Sequence, residues 1–262
     1  WETKVAKKGN KASTWEDLIA KKQLGYMAML RNLRNILLSG VSAETHDYII
    51  DSLCDDEKVA KSRQFPFRFL SAYQVLQEIE NKNYFSERKT LTDEAKAEKM
   101  KKFTIPAPKL LNRYKTSVDD AVKLSIRNNC RPIRAKVAIM MDTYSGMKKP
   151  VSSARGALGT KITALDIGFL MGFLFQNLCV ECNFYAFGKP NGDHKKTHYK
   201  VPIDGTKPIL ESVESSIKDC RDHISENYVF FYEWLKDLIR SKEKYDMVLV
   251  FTDYLPEKDI AE

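Results

Sequence analysis

The chain has 262 residues, 43% of them hydrophobic and 30% charged, and a net charge of +8. That length suits one large or two modest domains with a sizeable core. No apolar run approaches the roughly 18–20 residues that span a bilayer, and the basic, polar opening "WETKVAKKGNKAS" is no signal peptide. Membrane insertion and secretion are therefore not expected. Five scattered cysteines fit a reducing compartment better than a disulfide framework.

The charge is unevenly spread. Residues 1–134 hold 26 Lys and Arg against 17 Asp and Glu, whereas residues 135–262 hold 17 against 18. A basic segment joined to a neutral one points to a polyanionic partner for the first, with lysine-rich solvated helix faces as the plainer explanation.

In chain order, the first predicted element is a long helix over "TWEDLIAKKQLGYMAMLRNLRNILLSG", with Leu18, Ile19, Tyr26, Met29, Leu30, Leu33, Ile36 and Leu37 at helical spacing. Thr14 is placed to cap its start and Gly40 to end it in the left-handed conformation. Ser42 caps a second helix, "AETHDYIIDSLC". A third, "FPFRFLSAYQVLQEIE", tolerates Pro66 only in its first turn. A charged, proline-punctuated connection leads to a fourth helix, "LLNRYKTSVDDAVKLSIRN". Helices joined by short loops without strands suggest a stacked helical array. The aromatics of "QFPFRFL" read mainly as core, with base stacking beside Arg63 and Arg68 as the functional alternative.

After Pro132 the pattern changes. The apolar run from Val137 to Met141 predicts a strand over 135–141 that is covered on both faces and ends at Asp142. A helix near 161–178, a strand "CVECNFYAF", two more helical segments and a last buried strand "DMVLVFTD" follow. Such alternation predicts a doubly wound sheet. Asp142 and Asp253 then sit just past the tips of apolar strands that share one edge of a parallel sheet, where open α/β sheets carry their sites and the two carboxylates could converge.

Asp142, Thr143, Ser145, Thr252 and Asp253 form a candidate oxygen site for a hard cation such as Mg²⁺, although Asp and Ser also favour turns and caps. A phosphatase with an aspartyl nucleophile needs a second acid two residues on, and Tyr144 stands there. Walker and dinucleotide-binding loops are absent from the sequence, so an enzyme is not expected. Cys179, Cys182, His194 and His198 approach zinc-finger spacing, but Gly188, Pro190 and Gly192 break the helix a finger requires. They read as buried thiols and loop histidines.

The segments "YMAMLRNLRNIL", "SRQFPFRFLSAYQVL" and "LNRYKTSVDDAVKLS", followed by a strand ending in Asp, resemble the TROVE module of telomerase-associated, Ro and vault-associated proteins, nearest to the telomerase-associated branch. The resemblance implies that residues 1–134 are the later part of a HEAT-like helical-repeat module. It implies that residues 135–262 are a von Willebrand factor A-like domain, incomplete at its C-terminal end, and that the chain is a piece of something longer.

The function implied is that of an RNA-binding, non-enzymatic subunit of a telomerase- or vault-type ribonucleoprotein, with other subunits as partners, in nucleus or cytoplasm. A Ro-like role in small-RNA binding and quality control, and a metal-dependent protein-interaction module, are the alternatives. Lys21, Lys22, Arg31, Arg34, Arg63, Arg68, Lys101, Lys102 and Arg113 form the pool of candidate phosphate-binding residues, with Arg31 and Asn32 equally able to bond helix ends between repeats. In the A-like motif D-x-S-x-S, Asp142 matches the first acid and Asp253 the third loop. Tyr144 and Gly146 replace the serines, Ser145 is out of register, and Thr206 lies one helix too early for the second loop. A degenerate site, metal-free or holding Mg²⁺ weakly, is the expectation.

Overall fold

In the computed structural model, residues 1–9, 11–81, 103–151, 162–227 and 231–253 are described. They fall into two compact units, one built from the chain up to Asn129 and the other beginning at Cys130.

The first unit is helical. Its elements are α1 (Glu2–Lys8), α2 (Ala12–Ala20), α3 (Tyr26–Arg31), α4 (Leu33–Ser39), α5 (Ala43–Leu53), α6 (Asp56–Ser62), α7 (Pro66–Glu80) and α8 (Pro108–Asn129). Helix starts obey local chemical signals, at Ser42 and Pro66 as the sequence predicts and at Asp55 for α6, which it does not. Ser42 accepts from the Thr45 amide and starts α5, Asp55 accepts from Lys58 and starts α6, and Pro66 opens α7. Gly40 ends α4 at φ 73°.

The long first helix is instead three pieces. Thr14 is no cap; it is buried inside α2, which Lys11 precedes without a side-chain bond. The chain leaves α2 through a Schellman closure. The Lys22 amide donates to Ile19 and the Gln23 amide to Leu18, with Lys22 at φ 53° where glycine is usual. The apolar period runs through this turn unbroken, and so hides it. A second interruption falls at Asn32, whose side chain donates 2.8 Å to the Ala28 carbonyl one turn back. Asn32 is thus structural within its own turn.

The core of this unit gathers Trp15, Leu18, Leu33, Ile36, Leu37, Ile49, Leu53, Phe69, Leu76 and Tyr114, all fully or almost fully buried. Burying each large side chain contributes about 1.5–3 kcal/mol. One polar pair lies among them: His46 Nδ1 is 3.0 Å from the Tyr114 hydroxyl, and the two rings meet edge to face.

The second unit is a mixed four-stranded sheet of order β3-β2-β1-β4, formed by β1 (Ile133–Asp142), β2 (Cys179–Phe187), β3 (His198–Lys200) and β4 (Met247–Phe251). β1 is central and pairs in parallel with β2 and β4; β3 joins β2 antiparallel at the edge. Both faces of β1 are covered, which is why its run is continuously apolar. Ala138 and Met140 pack with Trp234 and Leu235 of α11 (Tyr232–Ser241). Against Met141 and Phe184 lies α9 (Ala164–Leu178), started by a reciprocal capping box between Thr163 and Asp166. Gly168 and Gly172 bring α9 this close, since a Cβ would fall 2.0 Å from Met141 Cε and 2.5 Å from the Phe184 ring. Between β3 and α11 runs α10 (Ile209–His223). All five cysteines are free thiols, and burial raises the pKa of each.

Burial holds the His46 pKa below its ordinary value. The unfolded chain therefore takes up this proton first, and stability is lost as pH falls from about 6.5 through the folded-state value. In urea titrations across this range, the stability of the wild-type chain should fall more steeply with pH than that of His46→Asn.

Candidate functional site

Two places carry candidate chemistry, one in each unit. In the sheet unit, the chain departs from β1 toward β2 on one side and β4 on the other, so the C-terminal tip of β1 is a topological switch point. Asp142 ends the strand there, 0% exposed. One carboxylate oxygen accepts the Tyr144 amide at 2.8 Å and the other accepts the Thr252 hydroxyl at 2.6 Å. Burial raises the Asp142 pKa; the bonds from Thr252 and Tyr144 oppose this, while the charge of Asp253 adds to it. The two acids do converge, as parallel neighbours should.

The remaining ligands of a cation site do not assemble around them. Thr143 Oγ donates 3.0 Å to the Phe187 carbonyl, and Ser145 is exposed with its amide on the Glu226 carbonyl. Gly146 lies under Asp253 so closely that a Cβ would sit 2.0 Å from Oδ2, so a serine there would require the Asp253 carboxylate to move. Lys149 Nζ lies 3.6 Å from the same oxygen. Thr206 is occupied locally, donating to Asp204. Mg²⁺ requires near-octahedral oxygen, and a set with one hydrogen-bonded acid, one acid beside an ammonium and the Thr143 and Thr252 hydroxyls already donating within the fold fits it poorly. Among the described residues no three His, Cys, Asp or Glu side chains come together as metal ligands, the spaced Cys179, Cys182, His194 and His198 included.

The helical unit holds a cleft of about 800 Å³, lined among others by Lys22, Tyr26, Tyr48, Lys58 and Lys61. The Schellman turn delivers Lys22, α3 delivers Tyr26, α5 delivers Tyr48, and α6 delivers the other two lysines. Lys58 Nζ stands 5.3 Å from the Tyr48 ring centroid, within cation–π range. Lys61 pairs with Glu57, both largely in solvent, where such pairs are worth little and are easily exchanged.

The predicted cations separate into distinct environments. Lys22, Arg31, Arg63 and Arg68 are exposed and have no carboxylate partner among the described residues. Lys21 pairs with Asp17 in solvent, and Arg113 bonds Asp47 at 2.7 Å. Arg34 is different in kind. Its side chain is 12% exposed and bonded to Glu78, forty-four residues away, so that its charge is spent inside the fold. Lys101 and Lys102 lie outside the described residues. Charge counting missed Lys58 and Lys61, which only the packing of α3, α5 and α6 brings beside Lys22.

The model of the TROVE domain matches residues 1–135. Telomerase protein component 1 of Mus musculus is 29% identical over 205 residues, 60% of this chain and 8% of that protein. Its Rattus norvegicus counterpart is 29% identical over 300 positions, covering 96% of this chain and 11% of that protein. The chain thus spans about a tenth of these relatives. The crystal structure of the Deinococcus radiodurans RO (RSR) protein aligns with 95% of this chain and 44% of that one, at a TM-score of 0.57 and 14% identity. The shared fold is HEAT-like helical repeats with a von Willebrand factor A-like sheet domain.

Because Asp142 carries a raised pKa, the sheet unit loses stability as pH rises through that value and the buried charge forms. Asp142→Asn should raise the melting temperature at neutral pH, with the gain fading as pH falls toward the ordinary carboxylate range near 4. Calorimetric scans of both chains over that range measure it.

Proposed function

The chain belongs to the TROVE family, and from that membership we propose that its helical unit is an RNA-contacting module of a larger ribonucleoprotein. The observation that carries this reading is the cleft, where Lys22, Lys58 and Lys61 share one accessible surface with Tyr48. Lysine is a point charge that tracks phosphates without demanding a fixed geometry, and the Tyr48 ring steadies the Lys58 ammonium within cation–π range. The reading makes the chain a non-enzymatic subunit of a telomerase- or vault-type particle, with other ribonucleoprotein subunits as neighbours, in nucleus or cytoplasm. A Ro-like role toward small RNAs uses the same surface.

The phosphate-binding pool under this reading is Lys22, Arg31, Arg63 and Arg68, joined by Lys21, Lys58, Lys61 and Arg113 from exchangeable ion pairs, with Lys101 and Lys102 kept from the sequence reading. Arg34 is removed from it and becomes a structural residue. The strand-tip acids are assigned a capping role, with Asp142 fastening β4 to β1 through Thr252, and with Mg²⁺ held weakly.

Lys22 and Arg63 permit a test that spares the fold. Both sit at positive φ, 53° and 49°, a conformation that costs an ordinary residue about 1–2 kcal/mol. Lys22→Gly with Arg63→Gly should therefore keep or raise the melting temperature while weakening RNA binding. Each phosphate left without its cation should reduce the slope of log K against log salt by about 0.7 for a single strand. Arg34→Ala should do the reverse, costing roughly 1–3 kcal/mol of stability with the salt slope unchanged. Filter binding at several salt concentrations, alongside thermal melts, separates the two; an unchanged slope in the glycine variant would count against the cleft.

For the strand-tip acids, calorimetric titration with Mg²⁺ should give no binding tighter than about millimolar, the weak end of protein sites for hard cations. Tight binding abolished by Asp142→Ala would overturn the capping assignment.

A further inference from the structure

The segment that leads from α6 into α7 holds its aromatics in an arrangement the core does not explain. Of the phenylalanines in "QFPFRFL", Phe69 is fully buried, whereas Phe65 is 69% exposed. Burying such a ring is worth about 1.5–3 kcal/mol, and here that gain is forgone. The Phe65 ring lies parallel to that of Phe67, with centroids 6.0 Å apart and planes 9° apart. The Arg68 guanidinium carbon stands 5.0 Å from the Phe67 centroid. Arg63, two residues before Phe65, is exposed in the left-handed conformation.

The backbone beneath is pinned. Ser125 Oγ donates 2.9 Å to the Gln64 carbonyl, the Gln64 side chain donates to the Ser62 carbonyl, and Pro66 fixes the first turn of α7. An open ring on a fixed backbone, between two guanidiniums with no carboxylate partner among the described residues, is complementary to a flat apolar group carrying an adjacent anion.

We propose that Phe65, backed by Phe67 and flanked by Arg63 and Arg68, is a stacking site for one unpaired nucleobase whose adjoining phosphates pair with the arginines. This rests on the RNA reading and adds a separate, base-dependent interaction to the phosphate binding of the cleft. A base inside a duplex cannot use it, because both of its faces are already stacked on its neighbours. Any of the four bases satisfies it, since each presents a π face.

The test uses the whole chain and fluorescence polarisation with three labelled RNAs of equal charge: a single strand of about a dozen uridines, the same strand made abasic, and a short duplex. The intact chain should prefer the uridine strand to the abasic one by about five- to a hundredfold, the range of one base–aromatic stack. Phe65→Ala should abolish that preference and leave the salt slope unchanged. Phe65→Trp should retain it, which also answers any concern over folding. Equal binding of uridine and abasic strands by the intact chain, or a preference undisturbed by Phe65→Ala, overturns the stacking site and leaves the cleft reading standing. Binding of none of the three RNAs overturns both.

Discussion

The surface of the helical unit depends on a backbone constraint: two of its turns are closed by cations in the left-handed conformation. At Lys22 the turn reverses the chain out of α2, and at Arg63 it ends α6. In each case the following amides or carbonyls are satisfied locally, so the turn is held in place of the glycine that would adopt it freely. A charged residue at a left-handed cap projects from a helix end, beside carbonyls whose partial negative charge suits a cation. The same turns that give the array its corners thus furnish it with positive groups.

The sheet unit shows the opposite treatment of charge. Asp142 is enclosed at the switch point of a parallel sheet, the place where related architectures keep an open site, and both of its oxygens are taken by donors of its own chain. Thr252 reaches it from the strand-end loop after β4, so the bond spans two neighbouring strands, 110 residues apart in sequence. The Asp253 carboxylate rests against Gly146, in the place a side chain there would take. The bond from Thr252 to Asp142 fastens the end of β4 to the end of β1.

Much of this architecture was legible beforehand, and the parts that were not have definite causes. Covered on both faces, β1 announces itself by an unbroken apolar run. The strands β2 and β4 fall where the sequence placed them, but β4, expected to be buried, has Met247 and Val248 exposed because it ends the sheet among the described residues. Ser42, Pro66 and Gly40 marked helix ends because each carries its own chemical signal. The turn at Lys22 was hidden because lysine is a good helix former and the apolar spacing continues across it. Thr14 looked like a cap until Lys11, with no capping side chain, took that position. The three-residue β3 and the seven-residue α6 are too short for periodicity to register. In the candidate site, charge counting found Lys22 but could not tell it from Arg34, since only the fold reveals that Glu78 stands waiting. Lys58 and Tyr48 were invisible for the same reason: a cleft is made by helices that the sequence does not order in space.

The five thiols have a practical side. Burial favours the protonated form at every one of them, pushing Cys182 up to about 12, and it is the thiolate that attacks alkylating reagents and oxidants. The native sulfurs are accordingly slow nucleophiles near neutrality. A single cysteine introduced on an exposed loop would be modified ahead of Cys182 and the enclosed Cys220, so those two sulfurs can stay in place when a fluorophore or spin label is attached at a chosen position.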